Sequence, residues 1–248
     1  MEIQALNSSI IKGIYYAYED SAKFNGFINP IIKPEYLITV NVAKSIREDF
    51  DLIIKLEEPT DNFLNESADK LDILNHYQYI KHFKETKEEE LRKGRIDIVL
   101  YDKDGKKNVL PIEIKGFDTP TRNKQRLFDD INRLLLFMSD DSGHGNIKFS
   151  TVAFIQETKV IIESEIAESL LNIKKEYTKI IEAVYGDYLN DFKFEIHTEK
   201  VFDNLFKSQA ELDSIPTYST VDDCSLDEII DEIGLFIGVI ISFYKNEM

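Results

Sequence analysis

The segment that decides the fold is GRIDIVLYDKDGKKNVLPIEIKG, residues 94–116. Apolar and polar side chains alternate along residues 95–101 and again along residues 109–115, which is typical of strands. The dipeptide Asp104-Gly105 between the two runs is a turn signal. The segment therefore predicts a β-hairpin, in which a loop centred on Gly105 pairs residues whose numbers sum to 210.

This register places the carboxylates of Asp97 and Glu113 opposite each other, with their Cβ atoms about 5 Å apart. Lys115 shares their face, because side chains two residues apart on a strand point the same way. Two carboxylates this close repel each other, which raises one pKa unless a cation lies between them. Mg²⁺ prefers such oxygen ligands and lowers the pKa of a bound water. The hairpin thus predicts a magnesium site; the alternative is a surface hairpin with solvated charges.

Asp97, a gap of fifteen residues and the tripeptide Glu-Ile-Lys at 113–115 resemble the PD-(D/E)XK nuclease superfamily. The resemblance covers residues 95–157 and departs from the name-giving motif at Ile96, where a proline is often found. It implies an α/β, restriction-endonuclease-like fold with an αβββαβ core, in which helices flank a small, four-stranded mixed sheet. It also implies an endonuclease that hydrolyses phosphodiester bonds in DNA with Mg²⁺, or with Mn²⁺ as a substitute. RNA remains an alternative substrate.

The resemblance also implies roles for individual residues. Asp97 and Glu113 match the metal ligands of the family, with the backbone carbonyl of Ile114 as a third ligand. Lys115 matches the residue that attends the nucleophilic water. Small stand-alone members often occur in bacterial restriction or anti-phage defence, and we expect such a setting here.

Many family members add a catalytic acid from the helix before the hairpin. Pro34 suits the first turn of a helix predicted from Glu35 to about Arg47. Glu35 is therefore our first candidate, with Glu48 and Glu19 as rivals. An acid at a helix start is also favoured by the helix dipole alone.

The helix after the lysine often places a polar or basic residue near the scissile phosphate in this family. Residues 92–126 contain ten Lys or Arg and five acidic residues, so this region is locally basic. The candidates for nucleic-acid contact are Arg95, Arg122, Lys124, Gln125 and Arg126. Arg126, Asp130 and Arg133 are expected to lie away from the apolar stripe of their helix, and the alternative for them is a row of exposed ion pairs.

The whole chain is acidic, which bears on its partners. Its 248 residues include 46 Asp or Glu and 30 Lys or Arg, for a formal net charge of -16. Such a protein binds nucleic acid weakly on electrostatic grounds, so we expect a homodimer or a protein partner to strengthen binding. A second hypothesis is a nuclease-derived, non-catalytic binding or regulatory module that docks a partner protein.

Other features exclude several classes of protein. No apolar run approaches the roughly 20 residues of a membrane span, and the first 20 residues lack a secretory signal pattern. We therefore expect a cytoplasmic protein with no membrane partner. The single Cys224 excludes a disulfide framework and a cysteine zinc site, and the four histidines show no metal-ligand spacing.

Hydrophobic residues make up 43% of the chain, enough for one domain over residues 1–248 with its core at about 35–200. A helical elaboration is expected at 1–33, and a C-terminal helix at about 226–245 with Ser225 and Glu228 in capping-box spacing. The run Leu235 to Phe243 is expected to be buried in the core or in a dimer interface. The remaining expectations are helices at 5–24, 49–57, 66–91, 122–138 and 162–188, and strands at 147–157 and 192–197.

Overall fold

The structure is a computed structural model, and the strands that it describes form one sheet. It describes residues 2–25, 35–67, 94–103, 109–116, 120–139, 147–160, 162–186, 188–203, 205–213 and 234–246. The strands are β1 (Ile53–Pro59), β2 (Arg95–Tyr101), β3 (Val109–Lys115), β4 (Phe149–Thr158), β5 (Phe192–Asp203) and β6 (Leu235–Lys245). Within these ranges the sheet has six strands in the order β1-β2-β3-β4-β6-β5. The β3–β4 pair is parallel and the other pairs are antiparallel.

Helices cover both faces of the sheet. They are α1 (Ile3–Asn25), α2 (Glu35–Asp49), α3 (Thr60–Ser67), α4 (Pro120–Met138), α5 (Ile166–Tyr185) and α6 (Gln209–Asp213), with short 3₁₀ turns at Glu163–Glu165 and Tyr188–Asn190. Apolar residues of α1 and α2 pack on one face of the sheet, and those of α3, α4 and α5 pack on the other. The mixed α/β class is thereby confirmed. Among the helices of the described ranges, none has the length and apolar composition of a membrane span.

The hairpin forms in the predicted register. Its ladder runs from the Tyr101–Val109 pair to the Ile98–Ile112 pair, and the residue numbers of each pair sum to 210. Ile98, Ile112 and Ile114 are buried against the α1 and α2 side. Because side chains alternate along a strand, Asp97, Glu113 and Lys115 face the α4 side.

One element that precedes the hairpin in the chain differs from the prediction. The sequence predicts a helix at 49–57, but β1 begins at Ile53 and pairs antiparallel with β2. A short segment such as Ile53-Ile54-Lys55-Leu56 has no decisive periodicity, so pairing with β2 determines its structure. Glu66 and Ser67 end α3, and the rest of the predicted helix at 66–91 lies outside the described residues.

The C-terminal segment also differs from the structure that the sequence predicts. The predicted helix at 226–245 is wrong from Leu235 onward, because residues 235–245 form β6 between β4 and β5. A continuous apolar, β-branched run buried on both faces is typical of an internal strand. The run is buried in the hydrophobic core, and the sheet has six strands within the described residues, where the resemblance implies four. Ser225 and Glu228 lie outside the described residues.

The other predicted elements are found near their expected positions. The helices at 5–24, at 35–47 and at 122–138 correspond to α1, α2 and α4, and the helix at 162–188 is α5 preceded by a 3₁₀ turn. The strand at 147–157 is β4, and the strand at 192–197 continues to Asp203.

Candidate functional site

The acidic side chains of the hairpin lie where β2 and β3 meet α4. Asp97 is partly buried and Glu113 is 1% exposed, so these charges do not belong to a solvated surface hairpin. The Oδ2 atom of Asp97 accepts a hydrogen bond of 2.7 Å from the backbone N–H of Ile114. The carboxyl groups of Asp97 and Glu113 are neighbours on adjacent strands, and each affects the pKa of the other.

Lys115 is held between two helices. Its Nζ atom lies 2.7 Å from Oδ2 of Asp130 on α4 and 3.4 Å from Oε1 of Glu35 on α2. Burial lowers the pKa of Lys115, but the charges of Asp130, Glu35 and Asp97 outweigh burial and leave that pKa raised. The side chain is therefore an ammonium, and it remains 22% exposed.

Glu113 has a cationic partner of its own. Nη2 of Arg133 on α4 donates a hydrogen bond to Oε1 of Glu113. The same nitrogen lies 3.3 Å from Oδ1 of Asp130. Glu113 consequently lies between the carboxyl group of Asp97 and the guanidinium of Arg133.

The acids of the site resist ionisation. Burial raises the pKa of Glu113 well above its usual value; the Arg133 charge opposes this shift, and the charges of Asp97 and Asp130 add to it. Burial also raises the pKa of Asp97, although the Ile114 N–H and the Lys115 charge lower it. A further cation beside Asp97 and Glu113 would lower the pKa values of both acids.

These residues offer a partial ligand set for a divalent metal. The carboxylates of Asp97 and Glu113, with the Ile114 carbonyl that the resemblance implies, are oxygen donors of the kind Mg²⁺ prefers. Across the described ranges, no group of three or more His, Cys, Asp or Glu side chains is arranged to hold a metal ion. The residues fit a Mg²⁺ ion that completes its coordination with water and phosphate oxygens, as this ion commonly does.

Of the three candidate helix acids, the structure brings Glu35 to the hairpin. A Cβ atom built on Gly116 would lie 3.6 Å from the Cα of Glu35, so the end of β3 packs closely against the start of α2. Glu48 lies at the other end of α2, 3.3 Å from Nζ of Lys12. Glu19 is on α1, where it accepts a hydrogen bond from Tyr15.

The residues proposed to contact nucleic acid lie on β2 and α4. Arg95 is exposed at the start of β2, two residues before Asp97. Gln125 and Arg126 are exposed on α4, and Nε2 of Gln125 donates a 2.9 Å hydrogen bond to Asp129. The backbones of Arg122 and Lys124 lie in α4, but their side chains are outside the described part of the structure.

Two residues of the site were not predicted as part of it. The alternative of exposed ion pairs is wrong for Asp130 and Arg133, which are 0% and 4% exposed. Asp130 is three residues after Leu127 and four before Leu134, so it falls within the buried stripe of α4. A charged residue at such spacing is a signal for a buried partner on another element.

The end of the hairpin thus brings together two buried acids with raised pKa values and one charged ammonium. Comparison of the chain with protein-family models, curated proteins and solved structures found no match. The geometry of the site is therefore the basis for a functional proposal.

Proposed function

We propose that this protein is a metal-dependent nuclease of the PD-(D/E)XK type, which hydrolyses phosphodiester bonds in DNA. The observation that carries the proposal is the meeting of Asp97, Glu113 and Lys115 at one end of the hairpin. Glu35 from the preceding helix adds a carboxylate beside Lys115.

The order of elements supports the same proposal. The succession α2-β1-β2-β3-α4-β4, with α3 inserted after β1, follows the αβββαβ order that the resemblance implies. The helices α2 and α4 pack on opposite faces of the sheet. The hairpin site therefore has the setting expected of a restriction-endonuclease-like core.

Each polar residue has a role in this proposal. Asp97 and Glu113 would hold Mg²⁺, which when bound supplies positive charge and lowers the pKa of a coordinated water. Lys115 remains protonated beside these acids and orients the nucleophilic water, as its position in the motif implies. Glu35 holds the ammonium from the solvent side, since Lys115 and Glu35 are only 3.4 Å apart.

Charge affects how the substrate is held. Arg95 and Arg126 are exposed on the elements that carry Asp97 and Asp130, where they can contact phosphates. The net charge of -16 opposes binding of a polyanion elsewhere on the surface. We therefore propose that a second copy of the chain or a protein partner strengthens binding to nucleic acid.

A second candidate function is a non-catalytic binding module derived from a nuclease. The observation in its favour is that the key charges already have partners within the protein. Arg133 pairs with Glu113, and Asp130 pairs with Lys115. In this alternative the two ion pairs stabilise the fold, and the acidic surface docks a partner protein.

Cleavage assays separate the two functions. Plasmid DNA, linear DNA and single-stranded RNA are incubated with the protein and Mg²⁺, Mn²⁺ or EDTA. The variants are Asp97→Ala, the isosteric Asp97→Asn and Lys115→Ala. The matched controls are Asp129→Ala and Lys148→Ala, which remove an exposed acid and an exposed lysine.

The nuclease proposal expects metal-dependent cleavage that all three site variants lose and both controls retain. The choice among the three substrates then distinguishes DNA from RNA. Equal cleavage by every variant would indicate a contaminating nuclease and reject the proposal. A folded wild type that neither cleaves nor binds Mn²⁺ would favour the binding module.

A further inference from the structure

Asp130 links both cations of the site from a fully buried position. Its Oδ2 atom lies 2.7 Å from Nζ of Lys115, and its Oδ1 atom lies 3.3 Å from Nη2 of Arg133. The residue is 0% exposed, whereas the neighbouring Asp129 is exposed and accepts a hydrogen bond from Gln125. Burying a carboxylate is costly without paired charges, so Asp130 depends on these two partners.

The two ion pairs connect α4 to the strand that carries the site. Lys115 and Glu113 are both on β3, and each is bound from α4, by Asp130 and Arg133 respectively. A lysine side chain has four rotatable bonds and a strongly hydrated head, so its ammonium has no fixed position without a partner. Asp130 supplies a partner on a helix whose own position is fixed by core packing.

We propose that Asp130 is a positioning residue of the catalytic site. It directs the ammonium of Lys115 toward the nucleophilic water, and through Arg133 it orients the carboxylate of Glu113. This inference rests on the proposed nuclease function. It extends that function by assigning a role to a residue outside the motif at Asp97 and 113–115.

The experiment uses the intact protein and three variants of α4. Asp130→Asn keeps the shape of the side chain but removes its charge. Asp130→Glu keeps the charge, and therefore the compensation of Lys115 and Arg133, but moves the carboxylate by one methylene. Asp129→Asn is the matched control on the solvent side of the same helix.

We expect both Asp130 variants to lower kcat by roughly 10–100-fold, the usual effect of residues that orient a metal site or its ligands. KM for DNA should stay within about threefold of the wild type, since Asp130 is too buried to contact the substrate. Electron paramagnetic resonance should still count the wild-type number of Mn²⁺ ions per chain. Asp129→Asn should match the wild type in all three measurements.

A double variant tests whether Asp130 acts through Lys115. Once Lys115→Ala has removed the ammonium, Asp130→Asn should lower kcat by much less than it does alone. Full multiplication of the two losses would overturn the proposal. So would Mn²⁺ binding that falls in parallel with kcat, because this pattern describes a loss of folded protein.

The outcomes also separate this inference from the proposed function. Absence of Asp97-dependent cleavage in the wild type would reject both. Asp97-dependent cleavage with wild-type kcat in Asp130→Glu would reject the positioning role and leave the nuclease function standing. If Asp130→Asn does not fold, Asp130→Glu decides whether Asp130 has a positioning role. If Asp130 were needed only to compensate charge, the Asp130→Glu enzyme would keep wild-type activity.

Discussion

The carboxylate of Asp97 accepts a hydrogen bond from the backbone N–H of Ile114, just beyond the last pair of the hairpin ladder. A side chain thus fastens β2 to β3 at the point where the ladder ends. The same bond holds the Asp97 carboxyl group beside Glu113, although the two groups repel each other when both are ionised. The oxygen atom of Asp97 therefore stabilises the hairpin, whereas the buried charge of Asp97 destabilises it.

Asp97→Asn should separate these two effects. The amide retains an oxygen that accepts the Ile114 N–H bond, and it removes the charge whose burial raises the pKa of Asp97. We expect the metal-free variant to melt on the order of 2–4 °C above the wild type at neutral pH, the shift that about 1 kcal/mol gives in a chain of this size. Cleavage should be lost. Thermal melts in EDTA check this, with Asp129→Asn as control, and an unchanged or lower Tm would contradict it.

Glu113 should make the stability of the metal-free protein depend on pH. Burial raises its pKa well above the usual 4.5, against the opposing charge of Arg133, while Asp97 and Asp130 raise it further. The native state then keeps a proton that the unfolded state loses, so the free energy of unfolding falls as pH rises from about 4.5 through the raised pKa. Urea unfolding from about pH 5 to about pH 8 measures this slope.

A bound metal should oppose this trend. Metal binding requires an ionised carboxylate, so the stabilisation by Mn²⁺ should increase over the same pH range. In Glu113→Gln, both the fall in metal-free stability and the rise in metal stabilisation should be much smaller than in the wild type. Stability that rises with pH in EDTA would contradict a raised pKa at Glu113.

Much of the site follows from local sequence, because a hairpin relates its two strands through one turn. The turn predicted at Asp104-Gly105 lies outside the described residues, but the ladder has the predicted register, and this register brings Asp97 next to Glu113. The sequence offers three candidate helix acids and does not select Glu35 among them, because nothing in the sequence fixes how α2 lies against β3. The burial of Asp130 and Arg133 depends on the packing of α4 on the sheet, which strand and helix periodicities do not specify.

The strand β6 is not predictable from its local sequence. An apolar run has no alternation when both of its faces are buried, so periodicity does not separate an internal strand from a buried helix. Its neighbours in the sheet are distant in the chain, since β4 ends at Thr158 and β5 at Asp203, whereas β6 begins at Leu235. Pairing with β4 and β5 therefore determines its structure.

Hydrogen exchange should report the internal position of β6. Residues 235–243 are buried throughout, and their backbone groups pair with strands on both sides. We expect amides of this strand to be among the slowest to exchange, with protection close to the global free energy of unfolding. Mass spectrometry of a peptide covering 235–243, compared with one from the edge strand β1, measures this difference. Equal rates in the two peptides would contradict the strand order.

The crossing of α1 and α2 should depend on Gly13. A Cβ atom at this position would lie 2.3 Å from the Cα of Val42, so even alanine forces the helices apart. We expect Gly13→Ala to destabilise the protein by roughly 1–3 kcal/mol, as overpacked cores do. Gly116→Ala is the control, because its nearest contact would be an ordinary 3.6 Å. Urea unfolding of both variants checks the prediction, and equal stabilities would contradict it.

Exposed arginines near the hairpin should govern substrate binding without affecting the chemical step. Arg95 begins the strand that carries Asp97, and Arg126 lies one turn before Asp130 on α4. If each contacts one phosphate, its replacement by alanine should raise KM, leave kcat unchanged and reduce the salt dependence of log Kd by about 1. Lys148→Ala is the control, since Lys148 precedes β4 at the end of the sheet away from Lys115. Binding measured by fluorescence anisotropy over a salt series, with Ca²⁺ replacing Mg²⁺, gives the slopes, and slopes equal to that of the control would place the DNA on another surface.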